Sequence, residues 1–302
     1  MKRSPWVLGA VLVAALGAAW CAAALAAVTL TDDRGRTVVL DRPAVRIVAL
    51  APHLTEIAFA AGAGGRLVGA SARSDYPDSA RDLPVVSDAS RMDLERILAL
   101  KPDLILAWMS GNPLRRIERL ERRGIPVLAT EARRVEDVAR LLRLVGRAAG
   151  SPEQAEQAAR HYEERMRSLQ MRYSQLRPVR VFVEVWHEPL ITVSGAHLIS
   201  GVVRLCGGVN VFDAARVLTP AVSAESVLAA RPQAVIMSSG AGQAAERAAR
   251  WGRFTVLPAV QQGAVYAVDP SLLERQGPRL ADAAQVLCES VSLARKTLGG
   301  NG

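Results

Sequence analysis

Few residues in this 302-residue chain are equipped for chemistry, so the position of each is informative. There are four histidines. His53 follows Pro52 at the end of an apolar run, and the carboxyl ends of strands are where α/β lobes take up ligands, so His53 is a candidate pocket residue. His187 and His197 are ten positions apart in a loop region, where they can meet, but no further residue with metal-ligand spacing accompanies them. His161 falls in a long helical stretch and reads as solvated. Aromatic residues make up 4% of the chain. Trp108 ends an apolar run and leads into Met109-Ser110-Gly111-Asn112, and Trp186 ends another within Trp186-His187-Glu188-Pro189. Core packing explains an aromatic at such a place poorly, whereas a ligand cleft explains it well. Tyr76, in Ser74-Asp75-Tyr76-Pro77, suits a pocket or a tight turn equally. Trp251, near a helix end, reads as packing.

These residues do not assemble into a recognisable catalytic apparatus. The chain has no Gly-x-Ser-x-Gly, His-Glu-x-x-His, phosphate loop or Gly-x-Gly-x-x-Gly, so an enzyme is not expected. Nucleic acid is not an expected partner either, despite the net charge of +9. Arginines such as Arg140, Arg143 and Arg147 sit singly on helical faces among acids, the pattern of a solvated surface, with some attraction to anionic headgroups.

The elements that must position the candidates alternate short apolar strands with amphipathic helices. Residues 46–50, 67–70, 103–108 and 126–129 read as strands, and 52–61, 93–100 and 113–123 as helices. From 135 to 177 the pattern turns wholly helical. Gly150-Ser151-Pro152 breaks it, with Ser151 placed as a cap and Pro152 at the first helical position. The helix expected after Pro152 carries an apolar stripe and about 25 residues, roughly 37 Å, more than one lobe needs. Beyond Pro178, strands at 179–185, 234–238 and 264–268 alternate with helices at 200–205, 244–250 and 278–298. The expected fold is therefore α/β: two similar lobes with mostly parallel central sheets, at 46–150 and 178–302, joined by a long rigid helix at 151–177. Residues 27–45 form a preceding segment.

An internal repeat supports the two-lobe reading. Asp93-Leu94-Glu95-Arg96-Ile97-Leu98-Ala99-Leu100-Lys101-Pro102 recurs 130 positions later as Ser223-Ala224-Glu225-Ser226-Val227-Leu228-Ala229-Ala230-Arg231-Pro232. Each copy has a cap, a Glu two positions on, a basic residue and Pro before a strand. A helix dipole favours a first-turn Glu by itself, but two at one position of a duplicated unit mark equivalent places on two lobes.

The amino terminus reads as an export signal. Lys2 and Arg3 precede an apolar run that closes in Ala24-Leu25-Ala26, which predicts cleavage after Ala26, a mature charge of +7 and a periplasmic location. A retained anchor, or lipid attachment at Cys21, is the alternative. With Cys21 removed, Cys206 and Cys288 remain. An even count in an oxidising compartment predicts a disulfide; two buried thiols are the other possibility.

The chain resembles the periplasmic vitamin B12-binding components of ABC importers, in the group whose lobes are joined by a long helix. The resemblance rests on Ser74-Asp75-Tyr76-Pro77, Asp93-Leu94-Glu95-Arg96-Ile97, the run from Ala99 through Ile105, Ala107-Trp108, Gly111-Asn112, Cys206-Gly207-Gly208-Val209-Asn210-Val211-Phe212 and Glu274-Arg275. It implies a monomer that holds cobalamin or a related corrinoid between its lobes, without catalysis or a prosthetic group, and delivers it to an inner-membrane ABC permease. It places Trp108 at a pocket tryptophan and Trp186 beside a pocket phenylalanine. His53, Arg73, Tyr76, Asn112 and Arg275 complete the expected binding set. It assigns Glu95 and Glu225 to permease docking. The chain departs from the family where Arg73, Ala89 and Thr219 replace Tyr, Trp and Trp. That loss removes stacked apolar area, and Arg73 offers a guanidinium for phosphate, amide or carboxylate oxygens instead. Haem, with His53 or Tyr76 near the iron, and a ferric siderophore, drawn to Arg73 and Arg275, are the alternative ligands.

Overall fold

A computed structural model describes residues 27–88 and 91–299. The expected export signal at 1–26, Cys21 and Ala89 lie outside the described residues. The segment before the first lobe is an antiparallel hairpin of β1 (Val28–Thr31) and β2 (Thr37–Leu40), whose Leu30, Val38 and Leu40 join the main core.

The amino-terminal lobe is built on β3 (Ile47–Ala49), α1 (Pro52–Ala60), β4 (Leu67–Ser71), β5 (Val85–Ser87), α2 (Leu94–Ala99), β6 (Leu104–Trp108), α3 (Leu114–Glu121), β7 (Val127–Thr130) and α4 (Asp137–Ala149). Its five strands are all parallel, in the order β5-β4-β3-β6-β7. Ile47, Val48, Ala49 and the run from Leu104 to Ala107 are buried. That is the signature of a parallel sheet covered on both faces, and it is why these strands read as unbroken apolar runs.

Helix α5 (Pro152–Tyr173) then leaves the lobe. Its 22 residues reach about 33 Å. Ala155, Ala159, Tyr162, Met166, Leu169 and Tyr173 form its buried face, spaced by three and four. Near its start it packs closely on α4, where a Cβ at Gly146 would collide with that of Ala155. Ser151 does not cap the helix with its side chain; its hydroxyl donates to Ala61 O at 2.6 Å, because the helix start is pressed against the end of α1.

The carboxyl-terminal lobe contains β8 (Val179–Glu184), a small hairpin of β9 (Trp186–His187) and β10 (Leu190–Ile191), then α6 (Leu198–Leu205), β11 (Gly208–Asn210), α7 (Ala224–Ala230), β12 (Ala234–Ser238), α8 (Ala241–Gly252), α9 (Pro258–Gln261), β13 (Val265–Val268), α10 (Pro270–Leu273) and α11 (Leu280–Gly299). Its four-stranded sheet is also parallel, in the order β11-β8-β12-β13. Cys206 and Cys288 are joined in a disulfide that links the end of α6 to α11. One hydrophobic cluster runs from the first lobe through α4 and α5 into α6 and α11, so a shared core backs both lobes. Among the described residues no helix is long and apolar enough to cross a membrane.

The repeat persists in three dimensions. Asp93 Oδ1 accepts from Arg96 N at 2.9 Å, and Ser223 Oγ from Ser226 N at 3.2 Å. Lys101 and Arg231 share a left-handed backbone, with φ of 46° and 45°. Arg46 Nη2 donates to Leu100 O, and Arg180 Nη2 to Ala230 O, each at 2.6 Å. Asp103 and Gln233, the residues after each proline, accept from the backbone N–H groups of Arg46 and Arg180. The lobes are thus two copies of one construction.

Candidate functional site

Both sheets present the carboxyl ends of their strands to a cleft of about 940 Å³ between the lobes. The first lobe contributes His53, Arg73, Asp75 and Trp108. The second contributes Trp186, Ile191, Val193, His197, Thr219, the loop 269–271 after β13, and Glu274, Arg275 and Gln276. An apolar cleft with a few placed polar groups is the usual form of a small-molecule site.

Trp108 is the most firmly held aromatic in the cleft. Its indole lies over Gly111, where a Cβ would collide with the ring, so the Gly follows from the tryptophan. Its Nε1–H reaches Glu131 Oε1 at 3.4 Å, and its backbone N–H donates to Asn112 Oδ1 at 2.7 Å. Glu131 also accepts from the Ser110 backbone N–H and hydroxyl. His53 meets the indole edge-on, with ring centroids 5.2 Å apart. Burial, with Arg275 nearby, pushes the His53 imidazole down to about 3, so it is neutral near pH 7, and its Nε2 is buried without a hydrogen-bond partner among the described residues. Trp186 stands on the other lobe, 53% exposed, with its Nε1–H donating to Glu188 O at 2.9 Å.

Arg73 also lines the cleft, exposed and in the left-handed region with φ of 63°. Its carbonyl is fixed by Arg275 Nη2 at 3.0 Å, while Ser71, Ser74 and Thr55 form a buried hydroxyl chain beside it. Its guanidinium has no ion pair among the described residues. Arg275 differs. Its Nη1 binds Glu56 Oε1 at 2.8 Å and Asp75 Oδ1 at 2.7 Å, so its charge is already balanced. Hydrogen bonding to Arg275 holds the Asp75 carboxyl below its usual range.

Two expected site residues are placed elsewhere. Asn112 does not line the cleft: its amide donates to Leu50 O at 2.9 Å while its oxygen serves Trp108 N, so the side chain ties two loops together. Tyr76 faces a separate groove beside α5, where the Arg279 guanidinium sits 4.2 Å from its ring centroid. His187 and His197 do not build a metal site. His197 Nδ1 accepts from Ile199 N at the start of α6, and among the described residues no group of three His, Cys, Asp or Glu is placed to hold a metal. Trp251 is core, packed on Phe182 and Phe254, with its Nε1–H on Glu184 Oε2 at 2.5 Å.

Sequence reasoning missed Glu56, Glu131, Gln276 and Arg279. Glu56 was visible only as a helix residue, yet its buried carboxylate also takes Arg279 Nη2 at 2.7 Å. The Glu274-Arg275 motif was the one signal near this cluster.

Glu95 and Glu225 are both exposed in the first turns of α2 and α7, directly after the two caps. The Ser223 hydroxyl lowers the Glu225 carboxyl.

Comparison with known proteins agrees with this architecture. The profile described as periplasmic binding protein matches residues 47–272. A vitamin B12-binding protein of Yersinia pestis (strain Pestoides F) is 40% identical over 249 residues, covering 82% of this chain and 87% of its own. The crystal structure of the periplasmic vitamin B12 binding protein BtuF of Vibrio cholerae superposes with a TM-score of 0.79 at 37% identity, covering 84% of this chain and 99% of that one. The periplasmic heme-binding protein RhuT from Roseiflexus sp. RS-1 shares the fold, with a TM-score of 0.74 at 24% identity, over 83% of this chain and 98% of that one.

Proposed function

The chain belongs to the periplasmic binding protein family, and from that premise we propose that it captures cobalamin or a related corrinoid in the interlobe cleft and passes it to an inner-membrane ABC permease. It works in the periplasm after loss of residues 1–26, as a monomer, and its role is binding rather than turnover. The observation that carries the ligand assignment is the cleft itself: Trp108 on one lobe and Trp186 on the other flank a largely apolar space. A flat macrocycle with a polar rim suits such walls. The relatives that match most of the chain at 40% and 37% identity are named for vitamin B12.

The haem and siderophore readings have less to draw on. Tyr76 is turned out of the cleft against Arg279, and His53 is wedged against Trp108. A siderophore would need free cations, and of the two expected ones Arg275 is already shared by Glu56 and Asp75, which leaves Arg73 alone.

Titration of cyanocobalamin, dicyanocobinamide and hemin by tryptophan quenching tests the assignment. Trp108→Ala is expected to weaken corrinoid binding about tenfold or more, since truncating a buried aromatic anchor commonly costs about 2 kcal/mol. An unchanged Kd would take Trp108 out of the binding surface, and tight hemin binding without corrinoid binding would replace the ligand.

Glu95 and Glu225 supply the permease contact in this reading, one carboxylate on each lobe. Electrostatic complementarity governs encounter and register more than ligand grip, so the two functions separate. The double variant Glu95→Ala with Glu225→Ala is expected to keep ligand affinity within about twofold while lowering permease-dependent vesicle uptake about tenfold. Normal uptake would return both to plain helix-start residues.

A further inference from the structure

The two lobes are copies of one construction, so a surface present on one and missing from the other is a departure from the shared plan. Helix α3 is such a surface. Ile117 and Leu120 bury its inner side, while Arg115, Arg119, Arg122 and Arg123 stand exposed. None of the four makes an ion pair within the described residues. Of the two acids on the helix, Glu121 is consumed by Arg34 at 2.7 Å and Arg36 at 3.3 Å. Glu118, the other, makes no ion pair among the described residues. Leu114, at the start of the same helix, is 56% exposed.

The corresponding helix of the second lobe, α8, lacks this character. Its Arg247 is buried, donating to Ser238 O at 2.6 Å, and its Arg250 is paired with Glu246 at 3.3 Å. Arg253, just beyond α8, is exposed and without an ion pair among the described residues, one such arginine against the four on and just after α3.

The cluster also has a defined neighbour. Arg116, Arg119 and Arg123 share a groove of about 580 Å³ with Arg91 and with Glu95 of α2. In the binding-protein reading Glu95 faces the permease, so α3 is carried to the membrane surface with it. We propose that the α3 face of the first lobe lies against anionic phospholipid headgroups when the chain is docked. Guanidiniums are well matched to phosphate oxygens, and basic side chains at an anionic bilayer each add attraction that falls off within a Debye length. The exposed Leu114 gives the same face an apolar contact. The proposal relies on the binding-protein reading only for orientation, since attraction to lipid needs neither ligand nor permease.

The test is partitioning of the purified full-length mature chain onto phosphatidylcholine vesicles with and without phosphatidylglycerol, at low and high salt. The wild-type chain is expected to partition at least about tenfold more onto the anionic vesicles, with the difference collapsing at high salt. Arg115→Gln, Arg119→Gln, Arg122→Gln and Arg123→Gln combined should remove most of that gain, while Arg250→Gln on α8 with Arg253→Gln just beyond it should retain it within about twofold. Arg116 is left in place because its Nη1 holds Met92 O at 2.7 Å. Corrinoid titration of the quadruple variant checks its fold and reads the proposed function separately. Equal partitioning onto neutral and anionic vesicles, or full retention by the quadruple variant, would overturn the proposal. So would a quadruple variant that binds vesicles normally but loses the detergent-solubilised permease, which would assign these arginines to the protein partner.

Discussion

Replacing Cys206 and Cys288 together by alanine is expected to lower the stability of the carboxyl-terminal lobe by about 4–5 kcal/mol, among the largest effects any change in this chain would have. The cross-link spans 82 positions, enclosing β11, β12, β13 and the helices between them. Closing a loop of that length removes a large share of the unfolded chain's freedom, and the logarithmic dependence on length gives the figure quoted. Both cysteines are fully buried in the shared core, with Cα atoms 4.6 Å apart. Alanine in both places removes two sulfur atoms without adding a polar group, so the chain-entropy contribution dominates. Denaturant unfolding of the oxidised wild type and the double variant measures the difference, and dithiothreitol should bring the wild type toward the variant. A loss below about 1 kcal/mol would mean that the unfolded chain is already compact in this region.

The duplicated architecture was legible because its signals are local. Strands covered on both faces read as apolar runs, and the caps, first-turn acids and prolines of the repeat need no knowledge of distant partners. The strands that escaped were short or lacked such a run. β5 and β11 have three residues each, bounded by Pro84 or Gly207, too few for any period to declare itself. The β1–β2 hairpin, with strands of four residues each, falls in the segment 27–45, where no longer apolar run marks a strand. Trp108 could be placed at the cleft because strand ends meet ligands in this kind of sheet. The directions of Tyr76 and Asn112 could not, because Arg279 and the Leu50 carbonyl set them across 203 and 62 positions of sequence. Nor could the state of Arg275. From sequence it was a cation available to a ligand, and in the fold two carboxylates of the other lobe occupy it.

Those carboxylates define the second large expected effect. The segment from Arg275 to Arg279 hooks the carboxyl-terminal lobe onto the first. Glu56 accepts from Arg275 at 2.8 Å and from Arg279 at 2.7 Å, Asp75 and the Arg73 carbonyl hold the rest of Arg275, and Gln276 Oε1 accepts from Ala132 N at 3.2 Å. Glu56 is 3% exposed, so these two guanidiniums take the place of the water its carboxylate has lost. Removing one member of a buried ion pair typically costs about 3–5 kcal/mol, because the partner charge stays desolvated. Arg275 and Arg279 keep some solvent contact, with side chains 13% and 17% exposed, which places Glu56→Ala toward the lower end. The shared core around α5 holds the lobes at the back, so the loss should fall on the cleft side and not unfold the chain. Trp108 and His53 stand on one lobe and Trp186 on the other, so a freer interlobe angle should also weaken the corrinoid binding proposed for the cleft. Glu56→Ala is therefore expected to lower unfolding free energy by about 3 kcal/mol and to raise the corrinoid Kd about tenfold, with Glu56→Gln intermediate in both. Calorimetry and ligand titration on the same preparations separate the two effects. Stability within about 1 kcal/mol of wild type would reduce the cluster to the worth of a surface pair, and an unchanged Kd would show that the core at the back sets the cleft width alone.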